Sequence, residues 1–308
     1  MTYDILDVEQ QLHTSPASAV SRWEEGYNVQ LHSAAAAIAG NREKSPVVLL
    51  AGPSGSSKTT TASRICRELQ AMGIGAHLIS MDNYYLPRNH PDFPLLPDGS
   101  PDLESPLCLD VPLLEEHFGI LETGGDIYVP IYDFPTHRRL EGRSLRMDAS
   151  QGDVFVFEGI HALNGMFTGK HPDAYGIYVA PEDSFSRGGE PFCSPTSLRL
   201  MRRMVRDYLF RGATARYSLE LWSNVLDGEQ QYILPFRSQA QQVITTTLPY
   251  EIGVLKRYVE PLLRELPQNV PCREAVELLL TLLPQVEALP DTLVPEHSIL
   301  REFIGGGK

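Results

Sequence analysis

The chain has 308 residues, 42% of them hydrophobic and 21% charged, which is enough apolar material to bury a core unaided and excludes global disorder. Its 39 acidic residues against 26 basic ones give a net charge of −13. That balance excludes a general nucleic-acid or anionic-membrane surface, and any anionic ligand must be met by a local basic cluster. The cysteines at 66, 108, 193 and 272 form no C-x-x-C pair, so neither a zinc site nor a disulfide framework is suggested. With no signal-like leader and no run of about 18 apolar residues, the expectation is a soluble protein of the reduced cytoplasm. At about 150 residues per domain, one large domain with extensions and two domains both fit the length.

Residues 1–45 are polar and Ala-rich, with Trp23, Tyr27, Leu31 and Ala34 to Ala37 spaced as one face of a docking helix. Pro46 to Ala51 is a short apolar run of strand character that meets a Gly/Ser-rich turn, and Thr59 to Ala71 reads as a helix. Further β-type runs are Ala76 to Ser80, Asp153 to Phe157 and Gly176 to Ala180, the first two ending beside the carboxylates Asp82 and Glu158. Apolar strands alternating with helices predict an α/β fold with a parallel sheet covered on both faces, whose ligands gather at the carboxyl ends of the strands.

Seven prolines between Leu86 and Pro112 predict a structured surface loop there. Asp110 then starts a helix over Leu113 to Leu121, and Asp126 to Phe134 with Ser144 to Met147 form a β-ribbon. After Pro195 an amphipathic helix runs to Gly212, capped by Ser194 or Thr196, and further helices start near Leu219, Tyr250 and Arg273.

Gly52-Pro-Ser-Gly-Ser-Ser-Lys-Thr-Thr60 approximates G-x-x-x-x-G-K-[ST], a loop whose backbone amides and helix N-terminus cradle phosphates. Ser57 stands in place of the final Gly and puts a Cβ where the backbone approaches the ligand. Phosphoryl transfer to an alcohol also needs Mg²⁺, a carboxylate to accept the hydroxyl proton, and cations around the moving phosphate. Thr59, Asp82 and Glu158 are the candidates for the first two, the alternative for each carboxylate being an ordinary turn or strand-end residue. Arg199, Arg202, Arg203 and Arg206 recur at helical spacing with Arg211 following, opposite Leu198, Met201, Val205 and Leu209. This is a cationic ridge suited to phosphate, or else a solvated face paired with acids. Tyr132-Asp-Phe-Pro-Thr-His137 either lines a pocket for a planar ring or packs in the ordinary way. The histidines at 90, 117, 161 and 171 have no metal-ligand spacing.

Taken together, Gly52 to Thr60, Ser80 to Arg88, Pro130 to His137, Phe157 to Leu163 and Arg202 to Gly212 resemble, in order and spacing, the uridine kinase and phosphoribulokinase family of P-loop kinases. The later segments Trp222 to Glu229, Ile233 to Phe236 and His297 to Gly306 are similar to uridine-kinase-like bacterial proteins that carry a TGS domain, for which this chain has no room. The resemblance implies a P-loop kinase core over 46–215, preceded by a helical segment over 1–45 and followed by a helical part over 216–308. It implies that Gly52, Ser54, Gly55, Ser56, Ser57, Lys58, Thr59 and Thr60 hold the ATP phosphates, with Arg206 and Arg211 as clamping arginines of a lid.

By the same resemblance, Asp82 deprotonates a nucleoside 5′-hydroxyl, with Lys58 and Arg206 assisting the transfer, and Thr59, Glu158 and Asp82 form the Mg²⁺ site. Tyr84, Glu104, Tyr132, Phe134, His137 and Arg203 contact the acceptor, Glu104 standing where the family has a ribose-gripping Asp. The pyrimidine-contacting Arg and Gln of animal uridine–cytidine kinases are replaced here by Ala213 and Leu221. The expected activity is an ATP-dependent kinase of uridine, then cytidine, with ATP and the acceptor as partners and self-association left open. A kinase of another small alcohol or sugar phosphate, or a non-catalytic nucleotide-binding regulator, is the alternative.

Overall fold

The computed structural model describes residues 1–149, 152–267 and 269–307. The chain opens with a short strand β1 (Thr2–Asp4) and two helices, α1 (Ile5–Thr14) and α2 (Pro16–Asn41), where one docking helix was expected. Asp4 is the reason for the extra start: its Oδ1 accepts from Leu6 N–H at 3.0 Å and caps α1. The apolar stripe Tyr27, Leu31, Ala34 and Ile38 of α2 is buried.

The central unit begins with β2 (Val47–Ala51), α3 (Lys58–Ala71) and β3 (Ala76–Ser80). The proline-rich stretch has no long regular element before α4 (Val111–Glu122), which Asp110 caps by accepting from Leu113 N–H at 3.2 Å. An antiparallel hairpin, β4 (Ile127–Asp133) and β5 (Arg138–Met147), follows, then β6 (Val154–Glu158), a single helical turn α5 (Gly165–Thr168) and β7 (Tyr175–Ala180). A second hairpin, β8 (Ser184–Arg187) and β9 (Glu190–Cys193), joins β1 in a small three-stranded sheet that the sequence pattern did not announce. Helix α6 (Pro195–Phe210) is capped by Ser194 and ends before Gly212 at φ 64°, and α7 (Ala215–Gly228) continues into a π-helical turn over Glu229–Ile233.

Beyond residue 216, where only helices were expected, strand β10 (Gln242–Thr245) completes the sheet before α8 (Glu251–Arg264), α9 (Arg273–Leu282) and the one-turn α10 (Arg301–Ile304). The five-stranded sheet runs β10-β7-β2-β6-β3, parallel throughout. The helical reading of 216–308 is corrected here, because the core sheet needs β10 as its edge. Strands β2 and β6 are buried on both faces, as apolar runs without alternation require. One core, built from α2, α3, α6 and α8, covers one face, and a second, built from α4 and the β4–β5 hairpin, covers the other. Among the described residues, no helix is long and apolar enough to cross a membrane.

Candidate active site

The loop between β2 and α3 is shaped from behind. Ser54 O accepts from Arg199 Nε at 3.0 Å, Gly55 O from Arg202 Nη1 at 3.3 Å, and Ser56 O from Thr246 Oγ1 at 3.0 Å. In a trans peptide the next N–H lies opposite the carbonyl, so these three anchors turn the amides of Gly55, Ser56 and Ser57 away from Arg199, Arg202 and Thr246 respectively. Two glycines make this close packing feasible. A Cβ on Gly52 would lie 1.9 Å from Val179 O, and Gly55 has φ +77° against the Arg199 carbonyl. Ser57 takes the conformation that a glycine would supply, φ 67° and ψ 33°, so the loop keeps its shape despite the substitution and carries backbone strain there. The Oγ atoms of Ser56 and Ser57 are buried without hydrogen-bond partners, a state that a bound anion would relieve.

In front of this loop is a cavity of about 370 Å³ lined by Ser54 to Thr60, Asp82, Glu158, Arg206, Arg211 and Glu302. Lys58 Nζ donates to Pro53 O at 3.1 Å. Its pKa is pushed down chiefly by burial, which Glu158, Asp82 and Glu302 oppose. Thr59 Oγ1 donates to Glu158 Oε1 at 3.1 Å, so the hydroxyl and carboxylate assigned to Mg²⁺ are side by side. Burial raises the pKa of Glu158 and of Asp82, and Lys58 lowers both. A hydroxyl beside one carboxylate suits Mg²⁺, which keeps waters and takes phosphate oxygens for its remaining positions.

The arginine ridge divides in two, which corrects its reading as one phosphate-facing surface. Arg199 forms a bidentate pair with Glu229 at 2.6 and 2.5 Å, and Arg202, fully buried, pairs with Glu251 at 2.6 and 2.9 Å. Both are committed to bracing the phosphate loop. Arg206 and Arg211 face the cavity, while Arg203 Nη1 donates to Ser54 Oγ at 2.9 Å. Asp207, buried and not singled out by spacing, gathers Arg206 at 2.8 Å, Arg203 at 3.4 Å and Arg211 at 3.6 Å. Arg203, Arg206 and Arg211 are therefore oriented by one carboxylate.

A second cavity, about 400 Å³, adjoins Arg203 and is lined by Glu104, Leu221, Asn224, Gln231 and Tyr232 among others. Glu104 packs onto Gly228, where a Cβ would come within 2.4 Å of its own Cβ. Burial raises the Glu104 pKa and Arg203 opposes the shift. Tyr84 does not belong to this region. It is fully buried, its hydroxyl hydrogen-bonds His117 Nδ1 at 2.7 Å, and its ring packs near Phe157. The next residue, Tyr85, follows the 3₁₀ turn over Met81–Tyr84 and packs instead with the rings of Tyr132 and Phe134. Its ring lies 5.7 Å from Tyr132 and 6.3 Å from Phe134, and Tyr132 and Phe134 are 5.1 Å apart. His137 stands at the hairpin turn with φ 54°, its carbonyl accepting from Arg88 N–H at 3.4 Å.

A family model described as "Phosphoribulokinase / Uridine kinase family" matches residues 47–251. The chain belongs to this family. It is accordingly a kinase, an ATP-dependent phosphotransferase acting on an alcohol group. It is 29% identical over 202 residues to a protein named uridine kinase from Macrococcus caseolyticus (strain JCSC5402), covering 65% of this chain and 88% of that one. To the uridine kinase of Staphylococcus aureus (strain JH9) it is 28% identical over 199 residues, covering 64% and 86%. Among solved structures, a possible uridine kinase from Bacillus stearothermophilus gives a TM-score of 0.40 at 18% identity over 64% of this chain and 87% of that one. The D-glycerate 3-kinase of Cryptococcus neoformans var. grubii gives 0.47 at 15% identity over 70% and 89%.

Like Asp207, two further residues lie outside what sequence spacing reveals. Glu302, from α10, accepts from Thr60 Oγ1 at 2.5 Å and brings the far end of the chain to the phosphate loop. His161 is 2% exposed and neither ring nitrogen completes a hydrogen bond. Burial, then Lys58, push its pKa down to about 3, against a smaller opposing pull from the Glu104 carbonyl.

Proposed function

We propose that the protein transfers the γ-phosphoryl group of ATP to the 5′-hydroxyl of a nucleoside, uridine first and cytidine second. The observation that carries this reading is the convergence of Lys58, Thr59, Asp82, Glu158, Arg206 and Arg211 on one cavity beneath a braced phosphate loop. The phosphates would lie against the loop amides, Lys58, Arg206 and Arg211. Asp82 would accept the hydroxyl proton as the acceptor oxygen bonds to the γ-phosphorus and the β,γ-bridging P–O bond breaks, releasing ADP. A general base of this kind contributes about 10²- to 10⁴-fold. Thr59 and Glu158 would hold Mg²⁺, which neutralises phosphate charge when bound. The name uridine kinase, borne by both relatives, supports uridine as acceptor, and the Tyr85, Tyr132 and Phe134 rings offer faces to a planar base.

A second reading, a kinase of another small polyhydroxylated alcohol, is favoured by the polar side chains Glu104, Asn224 and Gln231 around the acceptor-side cavity. The two readings separate on a panel of nucleosides, sugars and sugar phosphates assayed for ATP-dependent product by mass. Uridine 5′-monophosphate as the dominant product supports the first. A phosphorylated sugar with unreacted nucleosides replaces it with the second.

A further inference from the structure

Resting on the reading of the Lys58 cavity as the phosphate seat, we propose that the nucleoside end of the donor is held by the segment 296–307, packed across helix α3. This segment lies wholly beyond residues 47–251, the part matched by the family model. It closes a cavity of about 520 Å³ against Thr59, Thr60, Ser63, Arg64 and Arg67 of α3, with Phe210 at the end of α6. Thr59, Thr60 and Glu302 line both this cavity and the phosphate cavity. The two spaces are therefore adjacent along α3, with a carboxylate at their junction. A nucleoside triphosphate is ordered the same way: phosphates, then ribose, then base. With the phosphates on the loop, the ribose falls beside Glu302, whose carboxylate accepts hydrogen bonds from hydroxyls, and the base enters the larger cavity.

The wall of that cavity suits a planar heterocycle. Phe210 is 55% exposed and faces a run of glycines: a Cβ on Gly305 would lie 3.1 Å from its ring. Gly305 and Gly306 have φ of +79° and +73°, so side chains are disfavoured where the backbone would approach the base. Arg64 has its guanidinium over the Tyr27 ring at 5.0 Å and donates through Nη2 to Asn28, yet its Nη1 is buried with no hydrogen-bond partner. The segment is also pre-shaped. Arg301 donates to the carbonyls of Asp291 at 2.9 Å, Pro295 at 3.3 Å and Gly305 at 3.1 Å, and also to that of Val294, while Glu302 ties α10 to Thr60. The ligand class is a purine nucleoside triphosphate, whose two-ring base offers Phe210 a larger stacking face than a pyrimidine does.

The test is calorimetric binding of Mg·ATP and of Mg·tripolyphosphate, which lacks ribose and base, to the full chain and to Phe210→Ala, Glu302→Gln and Lys58→Met. Phe210 is exposed, so its truncation leaves the fold intact, and circular dichroism and urea unfolding check this for each variant. The expected result is that Phe210→Ala weakens ATP by at least about fivefold, the low end for one base–aromatic stack, and leaves tripolyphosphate unchanged. Glu302→Gln also lowers the ratio of ATP to tripolyphosphate affinity, while Lys58→Met weakens both ligands. An unchanged ratio in both Phe210→Ala and Glu302→Gln, or wild-type protein binding tripolyphosphate as tightly as ATP, overturns the proposal and places the base elsewhere. If Lys58→Met affects neither ligand, the phosphate seat itself has been misassigned, a distinct failure.

Discussion

Ser57 offers the sharpest test of how the phosphate loop is built, because the same residue carries strain and an unpaired hydroxyl. Its backbone is at φ 67° and ψ 33°, which costs a non-glycine residue about 1–2 kcal/mol. Its Oγ is buried without a partner, at a cost of about 1–3 kcal/mol. Substituting glycine removes both and gives back about 0.5–1 kcal/mol through the greater freedom of glycine in the unfolded chain. The nucleotide-free Ser57→Gly protein should therefore be more stable by about 2 kcal/mol. Ser57→Ala, which deletes the hydroxyl but keeps the strain, should gain about 1 kcal/mol. Urea unfolding without nucleotide reads the difference directly. If the hydroxyl is a phosphate ligand, ATP binding to either variant should weaken about fivefold, the equivalent of one hydrogen bond. A Ser57→Gly protein no more stable than the wild type would refute the strain argument. Equal ATP affinity in all three proteins would show that the hydroxyl plays no part in binding.

Arg202→Met strands the fully buried Glu251 carboxylate and should cost about 3–5 kcal/mol. Pairing it with Glu251→Leu should recover most of that, and a single-variant loss below about 1 kcal/mol in urea would contradict the bracing role. His161 stays neutral in the folded chain down to about 3, whereas its ordinary value is 6.5, so its contribution to stability is full above pH 6.5 and is lost as the pH falls. Between pH 7 and 5 wild type should lose about 2 kcal/mol more than His161→Gln, and parallel pH profiles would reject this assignment. Tyr85→Ala should raise the acceptor KM about tenfold through lost stacking while leaving the KM for ATP unchanged. A change confined to ATP would remove Tyr85 from the acceptor side.

Much of this site is local and therefore readable in one dimension. A strand, a Gly/Ser turn and a helix place Lys58 and Thr59, and strand ends place Asp82 and Glu158, because each depends only on its own neighbours in the chain. The division of the arginines was not readable. Helix α6 is buried on nearly every side, including Arg199, Arg202 and Asp207, so the three- and four-residue spacing that normally separates a wet face from a dry one separates nothing here. The carboxylates that decide the matter, Glu229 and Glu251, arrive from later elements. Tyr84 and Tyr85 are adjacent and chemically identical, and only the 3₁₀ turn decides which ring enters the core. Strand β10 is four residues of mixed polarity at a sheet edge, too short for its period to register. Glu302 reaches Thr60 across 242 positions, a contact that no local pattern encodes.

In the proposed reaction Asp82 takes the acceptor proton while the surrounding cations hold the donor phosphates. The most direct measurement is acceptor-dependent ADP release by wild type and Asp82→Asn, with Mg·ATP affinity measured on the same preparations. Wild type should turn over with uridine, and Asp82→Asn should bind ATP as tightly as wild type. Turnover by that variant should fall by about 10²-fold or more. Undiminished turnover in the variant, or measurable ATP binding by wild type with no acceptor-dependent ADP release, would contradict it.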